Sequence, residues 1–85
     1  MARVAIPRLL ADQAGGRKDF EVDAASVGEA LRGLPVADLL FDERGTLRPL
    51  VNVYVDGRDA KLDGGLECPL TGASEVRVVA AVAGG

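Results

Sequence analysis

Polar and apolar residues alternate through Arg3-Val4-Ala5-Ile6, the period of two that marks a half-buried strand. Pro7 follows and has no N–H to continue a ladder, so the strand ends there. Alternation returns at Lys18-Asp19-Phe20-Glu21-Val22 after a loop through Gln13-Ala14-Gly15-Gly16. The two runs read as a hairpin with a long connection. At Ser26 the period changes. Ser26-Val27-Gly28-Glu29 is an S-x-x-E capping box, with Ser26 as N-cap and Glu29 reaching back to it. Val27, Ala30, Leu31 and Leu34 then fall at i, i+3, i+4 and i+7, one apolar face of a short helix. Gly33 weakens its last turn and Pro35 cannot continue it. Val36, Leu39 and Leu40 repeat helical spacing for another turn or two, and Asp42-Glu43-Arg44-Gly45 is a loop.

Leu50-Val51-Asn52-Val53-Tyr54-Val55 is the clearest strand, with Val51, Val53 and Val55 on one face and Leu50, Asn52 and Tyr54 on the other. Asn52 is open to a structural hydrogen bond or to a contact with a partner. Asp56-Gly57 predicts a tight turn, and a short strand over Asp59 to Leu62 precedes the turn glycines Gly64-Gly65. No Lys-Ser/Thr follows those glycines, so they do not form a phosphate loop. Thr71-Gly72-Ala73-Ser74 turns the chain into a last strand, Glu75 to Ala80. Val76, Val78 and Ala80 should face inward there, and Glu75, Arg77 and Val79 outward. One main helix among several strands predicts an α+β domain in which a mixed, curled sheet packs on that helix, the β-grasp arrangement. Its expected core is Val4, Ile6, Phe20, Val27, Leu31, Leu34, Val51, Val53, Val76 and Val78, each worth about 1.5–3 kcal/mol when buried.

Composition narrows the chemistry. Eighty-five residues make one small domain, read here as residues 1–80 with a flexible tail over 81–85. The chain has no histidine and one cysteine, Cys68, which removes the commonest general base, an intrachain disulfide and a cysteine-based zinc site. A lone Cys beside Pro69 reads as incidental, so no metal and no bound cofactor are expected, and the chain is a poor candidate for an enzyme. The net charge is −3. No basic stripe interleaved with aromatics is present, which argues against nucleic acid as a partner. Apolar runs fall far short of the ~20 residues that span a bilayer, and residues 1–7 lack a secretory h-region. A cytoplasmic protein is the expectation.

Gly84 and Gly85 close the sequence. Glycine leaves the chain thin and nearly unrestricted in φ and ψ, so the pair would carry a carboxylate on a narrow stalk. At the average glycine usage of about 7%, such a pair arises in about 0.5% of chains by chance, and it gains meaning from what precedes it. Leu50 to Val55, then Gly64-Gly65-Leu66, then Glu75-Val76 ahead of Ala81-Val82-Ala83-Gly84-Gly85 resemble the ubiquitin-like sulfur carriers. That family holds the thiamine-pathway carrier and the small subunit of molybdopterin synthase. The resemblance spans nearly the whole chain and is strongest to the carriers used for cysteine synthesis in actinobacteria. A proline common just before the tail is replaced here by Ala80.

The resemblance implies a protein co-substrate. An ATP-dependent, E1-like activating enzyme would adenylate the Gly85 carboxyl group, sulfide or an enzyme persulfide would displace AMP, and the Gly85 thiocarboxylate would deliver sulfur to an acceptor enzyme. That acceptor enzyme could belong to cysteine, thiazole, molybdopterin or secondary-metabolite synthesis. Gly84 would give clearance in a partner's tunnel. By alternation Ala5, Pro7, Tyr54 and Val79 would lie on the sheet face away from the helix and, with Val82, form the partner-binding patch. The alternatives are a protein modifier joined through Gly85 to lysines, and a plain interaction domain.

Overall fold

The computed structural model describes residues 1–80. Its elements in order are β1 (Ala2–Ala5), α1 (Arg8–Ala11), β2 (Asp19–Val22), α2 (Val27–Arg32), α3 (Ala37–Leu40), β3 (Val51–Val55), β4 (Arg58–Asp59) and β5 (Glu75–Ala80). Short 3-10 turns occupy Asp12–Ala14, Ala60–Asp63 and Gly65–Glu67. The five strands form one sheet in the order β2-β1-β5-β3-β4. β1 and β5 run parallel at its centre, and the other neighbours are antiparallel. This is the mixed sheet and single main helix expected of a β-grasp domain.

Local chemistry accounts for most boundaries. Ser26 takes an extended backbone and its Oγ accepts from the Glu29 N–H at 3.3 Å, the forward half of the capping box. Val27, Ala30 and Leu31 then bury completely, in one cluster with Val4, Val53, Val76 and Val78. Gly28 is buried because α2 packs closely on the Gly65–Glu67 turn: a Cβ there would stand 3.1 Å from the Leu66 carbonyl oxygen. The β3–β4 hairpin closes through Asp56 (φ 51°) and Gly57 (φ 83°), the doubly positive φ of a type I′ turn. Asp56 also ties the hairpin to β5: its N–H donates to the Glu75 carbonyl at 2.8 Å, and its Oδ1 accepts from the Glu75 N–H at 2.9 Å.

The structure departs from the sequence reading at three places. The β1–β2 connection holds the helical turn α1, which buries Leu10 and Ala11; four residues are too few to show a period. β4 is shorter than Asp59 to Leu62, because the Asp59 carboxylate accepts from the Lys61 N–H at 2.9 Å and starts a 3-10 turn instead. Phe20 is half-buried, since β2 is an edge strand, and the Arg17 guanidinium lies over its ring at 5.0 Å. The remaining residues of the expected core are buried, joined by Val36, Leu40, Phe41 and Leu70.

Candidate functional site

Side chains on a strand alternate between faces, so burial of Val76 and Val78 turns Arg77 and Val79 to the opposite side of β5. The ladder register then sets their neighbours. Arg77 lies between Ala5 of β1 and Tyr54 of β3, and Tyr54 in turn pairs with Asp59. Val79 pairs with Asn52. Towards the start of β5, Glu75 pairs with Arg3, which pairs with Glu21 of β2.

These residues form an open groove of about 660 Å³ across the outer face, lined by Ala5, Tyr54, Arg77 and Val79 together with Arg3 and Asp19. It brings together three of the residues expected to make the partner patch: Ala5, Tyr54 and Val79. Pro7 lies beyond β1 as the N-cap of α1 and does not line the groove. Val82, Gly84 and Gly85 lie outside the described residues. Arg77 changes the character of the face. Alternation already points it outward, but only the register sets its guanidinium in the middle of the apolar positions, making the surface mixed. Among the described residues the one ion pair is Arg58–Asp63, at 2.8 Å and off this groove.

Asn52 is held structurally, its Oδ1 accepting from the Lys61 Nζ at 3.3 Å. Cys68 is buried at 4% exposure and does not line the groove. Burial pushes its thiol pKa up, and the Asp63 carboxylate adds to the rise, so it holds little thiolate, the nucleophilic form. No group of three or more metal-ligating side chains occurs among the described residues, and no helix there is long and apolar enough to cross a membrane.

No family model matches the chain. The sulfur carrier protein CysO of Mycobacterium tuberculosis is 30% identical over 89 residues, which cover 96% of each chain. A solved chain from the Amycolatopsis orientalis BexX/CysO complex superposes with a TM-score of 0.84 at 29% identity over all of both chains. SAMP1 of Haloferax volcanii superposes with a TM-score of 0.77 at 26% identity, covering 99% of this chain and 98% of its own.

Proposed function

The chain belongs to the sulfur carrier protein family, and from that premise we propose that its sulfur travels on the carboxyl group of Gly85. The observation that carries this reading is the full-length match to a sulfur carrier in a chain that closes on Gly84-Gly85. An α-carboxylate, with a pKa of about 3.3–3.7, is ionised at neutral pH and is a poor electrophile. An ATP-dependent activating enzyme in the cytoplasm would convert it to an acyl-adenylate, and sulfide or an enzyme persulfide would then displace AMP. The Gly85 thiocarboxylate so formed is a tethered sulfur nucleophile, which an acceptor enzyme holds against its substrate. The name of the M. tuberculosis relative favours cysteine synthesis as the destination of the sulfur.

No histidine, metal or bound cofactor enters this scheme, and ATP is used by the activating enzyme. The burial of Cys68 supports it, because a shielded thiol is no competing sulfur carrier. Docking would use the outer-face groove, with Ala5, Tyr54, Val79 and the central Arg77 against the partner, and Pro7 at its margin. The test is an intact mass after incubation with ATP, sulfide and the activating enzyme. One oxygen should be exchanged for sulfur at Gly85; an unchanged mass beside an enzyme proved active on its own carrier overturns the reading.

The fold shared with H. volcanii SAMP1 at 26% identity favours one second reading, a modifier joined through Gly85 to lysines of other proteins. Activation would begin identically. Isopeptide-linked adducts recovered from cells, with the Gly85 acyl group on foreign lysines, would establish it.

A further inference from the structure

Only three primary amines occur in the chain: the Met1 α-amine, Lys18 and Lys61. The fold ranks them by distance from Ala80, where β5 ends. The Met1 nitrogen stands beside Gly72, 3.3 Å from where a Gly72 Cβ would lie, in the turn that precedes β5. It is therefore one strand length from Ala80, about 20 Å for six residues. Lys18 sits at the β2 edge, where its carbonyl accepts from Ile6 at 2.8 Å, and β1 separates it from β5.

Lys61 is placed differently. Its backbone N–H is fixed by the Asp59 carboxylate at 2.9 Å, and its Nζ reaches Asn52 Oδ1 at 3.3 Å. Asn52 is the cross-strand partner of Val79, with Cα atoms of such partners about 4.5–5.5 Å apart. The exposed ammonium group is thus held on the outer face beside the second-last residue of β5. No carboxylate among the described residues pairs with it. Five residues follow Ala80, and five residues span at most about 17 Å, ample to bring Gly85 back to this amine.

We infer that Lys61 is an acceptor in cis for the activated Gly85 carboxyl group, closing residues 61–85 into a ring through an isopeptide bond. This rests on the reading that Gly85 is activated with ATP. In the step, the Lys61 ammonium gives one proton to solvent and the Nζ lone pair attacks the carbonyl carbon of the acyl-adenylate. The C–N bond forms, the C–O bond to AMP breaks, and AMP leaves with the electron pair. A second proton passes from the nitrogen to solvent. No oxidant or reductant is needed. Tethering raises the effective concentration of the amine to the millimolar range, so ring closure competes with sulfide when sulfide is scarce. The ring hides the Gly85 carboxyl group, and the carrier is idle while it persists.

The experiment uses the full chain prepared as a Gly85 α-thioester by intein cleavage, an acyl electrophile that needs no activating enzyme. At mildly alkaline pH the folded chain should lose its thiol and become one water lighter than the free acid, with the linkage mapped by peptide mass to Lys61. Lys61→Arg keeps a donor for Asn52 and should lower ring yield by more than about tenfold, whereas Lys18→Arg should leave it unchanged. In denaturant the preference for Lys61 over Lys18 should shrink to about fivefold, the part that its shorter loop to Gly85 gives in an unfolded chain. A linkage at Lys18 or Met1 in the folded chain, equal ring yield in Lys61→Arg, hydrolysis alone, or a preference for Lys61 undiminished by denaturation would each overturn the inference. Because the thioester is installed chemically, failure of enzymatic activation and failure of ring closure are read separately.

Discussion

Along β5 the two faces of one strand meet different fates. Val76 and Val78 are each 2% exposed, in the core cluster with Val27 and Leu31 of α2, while Arg77 and Val79, which alternate with them, stand in solvent, Val79 at 40%. The inner face is bound to its residues by close packing, where the loss of one methylene is felt. The outer face makes few contacts within the chain and is free to be shaped by what docks on it. Stability and partner recognition are therefore carried by alternate residues, and substitutions should separate them.

The largest effect is expected on the inner side. Leu31 is fully buried in the last turn of α2, and Leu31→Ala should lower unfolding free energy in urea by about 2–5 kcal/mol. A loss below about 1 kcal/mol, the ordinary surface range, would break the contrast between faces. Cys68 should give a smaller, pH-dependent effect. Its folded pKa is raised, so folded and unfolded states bind the proton equally at low pH. Above the ordinary thiol pKa of about 8.5 the unfolded chain ionises first, and this contribution to stability is lost as pH rises further. Urea titrations between neutral and alkaline pH should show that decline, and Cys68→Ala should flatten it. The smallest stability change belongs to Arg77→Glu on the outer face, within about 0.5 kcal/mol. The same substitution should reduce kcat/KM for activation of Gly85 about tenfold, which corresponds to 1.4 kcal/mol of docking energy. Unchanged kinetics would remove Arg77 from the docking surface and sharpen the boundary of that face.

Much of the fold was legible in local patterns. The Ser26 cap, the periodic face of α2, the alternation of β3 and β5, and the Asp56-Gly57 turn each rest on residues a few positions apart. The helical turn α1 was not legible, because Leu10 and Ala11 are defined by the core they enter. The length of β4 was hidden too, since it depends on whether the Asp59 carboxylate caps the Lys61 amide.

The candidate site divides the same way. Alternation assigned Ala5, Tyr54 and Val79 to one face of the sheet and pointed Arg77 outward with them. It could not say that Arg77 would stand between Ala5 and Tyr54, because a period of two determines the face and leaves the pairing register open. The ladder from β1 through β5 to β3 sets that register, and residues far apart in sequence become neighbours. Asn52 and Lys61, nine positions apart, likewise meet only because the β3–β4 hairpin folds back and the Asp59 carboxylate fixes the Lys61 amide beside it. By itself the sequence determined the main strands and α2, the buried face of each and the Gly84-Gly85 ending. Only the tertiary structure decided which outer-face residues share a groove and which amine lies beside the end of β5, since both depend on cross-strand pairing between distant segments.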